Sequence, residues 1–306
     1  MDPSSQYRGA LLGLAVGDAL GVTVEFQEPG TFKPVKDLVG GGVFQLLPGQ
    51  WTDDTSMALC LAESLVECCN FDPADQMARY CRWYREGYLS STGVAFDVGN
   101  TTRGALEQFL RTQEAYAGPT DPQSAGNGSL MRLAPVPLFF CGDPVQAIEK
   151  SGLSSRITHG ALEAVDACRY FGGLLVGALQ GRSKEALLKK HFCPVPDLWA
   201  REPLSPNVAE IAAGSYKYKN PPNIAASGYV VKTLEAALWA FFRSATFEEG
   251  ALLAVNLGND ADSVGAVYGQ IAGAYYGAEA IPKTWREKIT RRERIELLAD
   301  ELLHLS

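Results

Sequence analysis

Residues 9–21 read GALLGLAVGDALG, and residues 265–277 read GAVYGQIAGAYYG. Each stretch repeats glycine at every fourth position: Gly9, Gly13, Gly17 and Gly21 in the first, Gly265, Gly269, Gly273 and Gly277 in the second. A helix brings every fourth residue back to nearly the same face, so each stretch carries a glycine row along one side. Glycine costs a helix about 1 kcal/mol against alanine, so eight such positions need a reason. A smooth groove lets a second backbone approach closely, and tight helix packing accounts for the glycines themselves. Their neighbours connect that packing to chemistry. Asp18 sits within the first row, and Asp260 and Asp262 come just before the second. Packing these helices together would join the chain ends and focus carboxylates on one spot.

Outward from these rows, most long segments also read as helices. Residues 56–69 are apolar nearly all round, as in a buried helix. Residues 74–88, 161–180, 228–243 and 247–257 carry apolar groups at three- and four-residue spacing. Asp72-Pro73, and Thr246 with Glu249, look like helix starts. Residues 34–43 and 203–222 are dense in Gly, Pro and Asn and read as loops. Alternating strands are absent. The expectation is an all-α protein, a single compact domain spanning 1–306 with helices crossing orthogonally.

The chain has 306 residues, 46% hydrophobic and 20% charged, with a formal net charge of -8. That charge, spread along the chain, argues against broad phosphate-backbone binding and a nucleic-acid partner. The seven cysteines form no CxxC pair and no signal peptide is read at the start, which fits reduced thiols in the cytoplasm. No uninterrupted apolar run reaches the ~20 residues of a membrane helix, and 170–179 reads as a buried helix. With no heptad seam, a monomer is expected.

The acidic motifs carry the chemistry. Trp51-Thr52-Asp53-Asp54-Thr55 leads into a helix. Capping and the helix dipole explain one aspartate there. A second beside it, flanked by hydroxyls, is better explained by a hard cation such as Mg²⁺ or Mn²⁺. Gly258-Asn259-Asp260-Ala261-Asp262-Ser263 again puts carboxylates and a hydroxyl at a helix start, without the later ligands of an EF-hand. Together the two motifs suggest six oxygen ligands around one or two metals. The turn Gly126-Asn127-Gly128-Ser129 presents free backbone N–H groups suited to an anion, or is a plain loop. Asp97, before a helix over 102–109, is a turn cap or a site residue. Glu25 stands among apolar residues, where burial raises a carboxyl toward acid–base use. His159 orients substrate or is structural. Neither a catalytic triad, a P-loop nor a dinucleotide-binding fingerprint is present.

In this order the motifs resemble the ADP-ribosylglycohydrolase family, and within it the bacterial enzymes that reactivate dinitrogenase reductase. The resemblance runs from Tyr7-Arg8-Gly9 to Pro282. It is carried by Gly17-Asp18-Ala19-Leu20-Gly21 with Val24-Glu25-Phe26, Thr52-Asp53-Asp54-Thr55, Asp97-Val98-Gly99-Asn100-Thr101-Thr102, Gly126-Asn127-Gly128 with Met131-Arg132, Ile157-Thr158-His159, and Gly258-Asn259-Asp260-Ala261-Asp262. It implies an orthogonal all-α fold with two Mg²⁺ or Mn²⁺ ions in a cleft, held by Thr52, Asp53, Asp54, Asp260, Asp262 and Ser263. Ser263 replaces the family's usual threonine, keeping the oxygen but losing the methyl that restrains its rotamer. Asp97 and Glu25 are implied as catalytic. Gly126, Asn127, Gly128, Ser129 and His159 are implied to bind substrate. The implied activity is hydrolysis of the N-glycosidic bond of ADP-ribosylated arginine on a protein, with dinitrogenase reductase one candidate, releasing ADP-ribose. Serine-linked conjugates and a non-catalytic binding role are the alternatives.

Overall fold

The computed structural model describes residues 2–306; Met1, the first residue of the start read above, lies outside them. The described residues contain no β-strand, only two isolated bridges, Gly41 with Leu46 and Gly126 with Tyr229. Ten of their helices have nine residues or more: α1 Pro3–Gly21, α2 Asp53–Cys68, α3 Pro73–Glu86, α4 Asn100–Thr112, α5 Pro144–Thr158, α6 Leu162–Leu179, α7 Val230–Arg243, α8 Phe247–Val255, α9 Ala261–Tyr276 and α10 Arg292–Leu305. Asp2, Asp72 and Asp143 each cap a helix whose first residue is proline, accepting from backbone N–H groups of the first turn. This pairing pre-sets the entry angle and satisfies donors that would otherwise be orphaned.

The two glycine helices run antiparallel in direct backbone contact. A methyl group at Gly9, Gly13 or Gly17 would overlap the carbonyl oxygen of Gly273, Gly269 or Gly265, and the reverse substitutions would collide in the same way. Gly21 lies against the backbone of Asp262. Nearly every residue of α1 and α9 is buried, so this pair forms the axis of the core. Two glutamines on the pair bind it to its surroundings. Gln6 Nε2 donates to the carbonyls of Ala178 and Ala274, at 2.9 and 3.0 Å. Gln270 accepts from Ala134 N at 2.8 Å and donates to the Met131 carbonyl at 2.6 Å.

Three sequence expectations change. The span from Pro3 to Val24 is long and apolar enough to cross a membrane by length and composition, although 89% of it is buried inside the fold. The stretch 203–222, read as a loop, contains the helix Pro206–Ala212 and a 3₁₀ turn at Ser215–Tyr218. That helix is short but buries Val208, Ile211 and Ala212. Helix α5 escaped notice because its buried face is rich in Ser151, Gly152, Ser154 and Ser155 rather than in aliphatic groups.

The glycine contact yields a direct test. Gly17→Ala should destabilise the chain by about 3 kcal/mol, since neither opposing backbone can yield to the added methyl. Gly104 on α4 is exposed, and nothing lies within 4 Å of the position a Cβ would occupy. Gly104→Ala should therefore stabilise by roughly 0.5–1 kcal/mol. Urea unfolding of both variants measures the difference, and equal effects would contradict backbone contact as the cause.

Candidate active site

The two acidic motifs meet because the glycine helices meet. At the start of α2, Thr52 is the cap, with its hydroxyl 3.5 Å from Asp54 N, and Asp53 and Asp54 occupy the first turn. Asp18, on α1 between Gly17 and Gly21, accepts from Thr52 N at 2.9 Å, Thr55 N at 3.1 Å and Thr55 Oγ1 at 2.6 Å. A fully buried carboxylate thus clamps the helix start that carries the Asp53-Asp54 pair. At the start of α9, Asp260 and Asp262 face the same region. Asn127 Nδ2 donates to Asp260 Oδ2 at 2.7 Å and to Thr233 Oγ1 at 2.9 Å. Glu25 is fixed beside this turn by two backbone bonds, Phe26 N to the Asn259 carbonyl at 2.8 Å and Asn259 N to the Gln27 carbonyl at 2.7 Å. Phe26, Asn259 and Asp97 all hold left-handed backbone conformations, with φ of 59°, 50° and 56°. Such conformations in non-glycine residues persist where the surrounding structure fixes them, and they concentrate at functional sites.

These elements enclose a cleft of about 910 Å³, lined in part by Glu25, Asp53, Asp54, Asp97, Asp260, Asp262 and Ser263. Carboxylate oxygens of Glu25, Asp97 and Asp262 lie within 4.8 Å of one another. Asp97 does not cap α4: that cap position is Gly99, which makes no side-chain bond, and the Asp97 side chain joins the acidic wall. Burial first, and then the neighbouring carboxylates, raise the pKa of Glu25, Asp53, Asp54, Asp97 and Asp262. Asp97 is pushed up to about 7 and Glu25 to about 10, and Asp53, Asp54 and Asp262 stand well above the ordinary carboxylate range. Burial also raises Asp18, to about 6, against the pull of its hydrogen bonds from Thr55 and Thr52.

Glu25 Oε2, Asp54 Oδ2 and Asp262 Oδ1 are buried without a hydrogen-bond partner. Buried carboxylate oxygens are ordinarily paired, and orphaned ones call for an explanation. A donor set of carboxylates and a hydroxyl is what a hard divalent cation takes, and its charge would offset their mutual repulsion. The residues present therefore fit such an ion. The tightest convergence is the Glu25, Asp97 and Asp262 group rather than the six-residue set read from the sequence.

The rest of the lining holds Gly126, Asn127, Gly128 and His159, together with Ala226, Ser227 and Gly228, with Asn127 joined to the acidic group through Asp260. Asn127 N donates to the Gly228 carbonyl at 3.0 Å, and Val230 N to the Ala125 carbonyl at 3.0 Å, tying the two turns together. Two residues singled out from sequence stand behind the walls. Thr52 is fully buried and does not line the cleft, and Ser129 is turned to Ser155 Oγ at 2.8 Å. The clamp by Asp18 and the 226–228 turn had no assigned role. The clamp spans 34 positions in sequence, whereas Ser227-Gly228 immediately before α7 was a visible turn signal.

Two tests follow from this geometry. Asp18→Ala strands the donors of Thr52 and Thr55 and should lower stability by about 3 kcal/mol, measured by urea unfolding. For the metal-free chain, carboxyls with raised pKa bind protons more tightly folded than unfolded. Their stabilising effect is complete at low pH and is lost as pH climbs toward the folded values of Asp18 and Asp97. Thermal unfolding in chelator should show stability falling between pH about 5 and about 7, and a rise over that window would contradict the buried cluster.

Comparison with known proteins identifies the family. The family model for ADP-ribosylglycohydrolase matches residues 1–306. The chain is 45% identical to ADP-ribosylarginine hydrolase Tri1 of Serratia proteamaculans (strain 568), covering 98% of this chain and 79% of that protein. It is 34% identical to ADP-ribosyl-[dinitrogen reductase] glycohydrolase of Rhodospirillum rubrum, over 97% of this chain and 95% of that one. A solved structure titled ADP-ribosylglycohydrolase-related protein complex superposes with a TM-score of 0.87 at 47% identity, covering 99% of each chain. An all-α fold, an acidic cleft and full-length similarity agree: the chain belongs to the ADP-ribosylglycohydrolase family and is a glycosidic-bond hydrolase.

Proposed function

We propose that this enzyme removes ADP-ribose from arginine side chains of a protein, using two divalent ions, Mg²⁺ or Mn²⁺, held in the acidic cleft, and that it acts as one domain over 1–306, a monomer in the cytoplasm. The observation that carries the reading is the convergence of buried, partly orphaned carboxylates in one cleft. Two relatives named for arginine-linked or dinitrogen-reductase-linked ADP-ribose support the substrate assignment. Asp53, Asp54, Asp260, Asp262 and Ser263 would hold the ions, with Glu25 and Asp97 in reach. Thr52 serves this wall as the cap of α2. Bound divalent ions would supply positive charge that polarises oxygen ligands and lowers the pKa of bound water.

The chain's own groups do the rest. Breaking the bond between ribose and guanidine builds oxocarbenium-like charge on the sugar, which the carboxylates around Asp97 stabilise. Asp97 sits beside Glu25, and a pair of close buried carboxyls shares a proton rather than ionising together. Asp97 is placed to take the proton of the attacking water. The departing guanidine is strongly basic and leaves with a proton, so water's two parts end on the sugar and on arginine. The Gly126–Gly128 turn and His159 form another part of the lining, suited to the diphosphate and adjoining ribose.

Release of ADP-ribose from an arginine-modified protein should require added Mn²⁺ or Mg²⁺ and stop with EDTA. Serine-modified peptide should be the poorer substrate, and faster release from serine would overturn the linkage. Asp97→Asn should cut turnover about a hundredfold or more while the protein still binds the metal by calorimetry. Near-normal turnover in that variant removes Asp97 from its role.

A further inference from the structure

Arg132 is completely buried, yet all its contacts are neutral. Nη1 donates to the Gly128 carbonyl at 2.8 Å and lies 3.8 Å from Met57 Sδ. Nη2 donates to Thr158 Oγ1 at 2.7 Å, and the guanidinium stands 4.7 Å from the Tyr80 ring. Arginine keeps its charge when buried, and an unpaired interior cation is costly, so its presence requires an account.

The account lies in the direction of the hydrogen bonds. Thr158 Oγ1 has two partners, Arg132 Nη2 and, at 2.8 Å, His159 Nδ1. A guanidinium can only donate, so the threonine oxygen accepts from it. The hydroxyl could also accept from Nδ1, but its own proton would then be buried without a partner, because no other acceptor for it is present among the described residues; it therefore donates to Nδ1, the unprotonated nitrogen. A neutral imidazole so bonded carries its proton on Nε2. The ring lines the cleft beside Gly126 and Gly128, where an added Cβ would stand 3.2 and 3.1 Å from Nε2. No hydrogen-bond acceptor for Nε2 is present among the described residues. Burial first, and the charge of Arg132 second, press the pKa of His159 down to about 3.

We infer that Arg132 is a positioning residue that, acting through Thr158, locks His159 as an uncharged Nε2–H donor facing the cleft, where it takes a phosphate or ribose oxygen of ADP-ribose. The choice of ligand rests on the function proposed above; the proton arrangement does not. A neutral donor suits a cleft so rich in carboxylates, because an imidazolium would be drawn to those groups instead of waiting for an oxygen of the ligand.

The test is nitrogen-15 NMR of histidine-labelled full chain, with His159→Gln identifying the signal, alongside calorimetry with ADP-ribose. The unaltered chain should show His159 neutral with the proton on Nε2 throughout the ordinary histidine titration range. Thr158→Val, of nearly the same shape, should abolish that fixed arrangement and weaken ADP-ribose binding about tenfold. Thr158→Ser, which keeps the oxygen, should restore both, separating the relay from simple packing. A proton on Nδ1 or an ordinary titration in the unaltered chain overturns the relay, and so does undiminished ADP-ribose affinity in a folded Thr158→Val with a changed tautomer. If the unaltered chain does not bind ADP-ribose, the ligand assignment falls with the proposed function, while the spectra still decide the proton arrangement.

Discussion

Backbone against backbone, without side chains between, is the contact that sets the geometry of this enzyme. Where α1 and α9 touch, glycine faces glycine, and the separation is fixed by main-chain atoms rather than adjustable side chains. Side-chain packing can relax by changing rotamer; opposed carbonyls cannot. The consequence appears one turn beyond the last glycine. Gly21 against Asp262 places the exit of α1, and so Glu25, at the entrance of α9, and Asp18 one turn earlier captures the start of α2. Three helix ends are thus aligned by one inflexible seam.

The electrostatics of the cleft depend on this rigidity. Carboxylates held in a soft matrix would separate or turn to solvent rather than remain close and partly unpaired. Here Asp18 and Asn127 hold the supporting backbone and Asp260, while left-handed turns at Phe26, Asp97 and Asn259 shape the segments that bear the acids. The rest of the lining is built differently, from glycine turns braced by a buried cation. One group of residues concentrates negative charge, and the other offers neutral donors. An elongated ligand with a sugar at one end and a diphosphate in its middle can lie across both.

Much of this was readable in the sequence because its determinants are local. The glycine rows repeat every four residues, and each acidic motif sits at a helix start, so both pattern and position are visible in a short window. What stayed hidden depends on distant partners. Asp18 is one aspartate in an apolar helix until Thr52 and Thr55 fold against it. Arg132 looks like an ordinary charged residue, and only its burial shows otherwise. Thr52 and Ser129 belong to the right motifs but turn to caps and neighbours, because motif membership does not fix where a side chain points. Helix α5 was missed for the opposite reason: serines bury well when they bond to backbone or to each other, as Ser151 does to the Ala147 carbonyl at 2.7 Å.

The glycine seam also imposes an order on biosynthesis. Helix α1 leaves the ribosome before α9, and the surface it is shaped to meet lies some 250 residues later. Until α9 is made, the nascent chain carries an apolar helix with a bare groove and no partner of matching contour. Closing so long a loop makes this a late, high-contact-order event, and the first helix remains a candidate client for chaperones throughout synthesis. The cleft comes into being only when the last third of the chain reaches back to the first, so an interrupted translation product would carry Asp53 and Asp54 without the pocket that gives them a use.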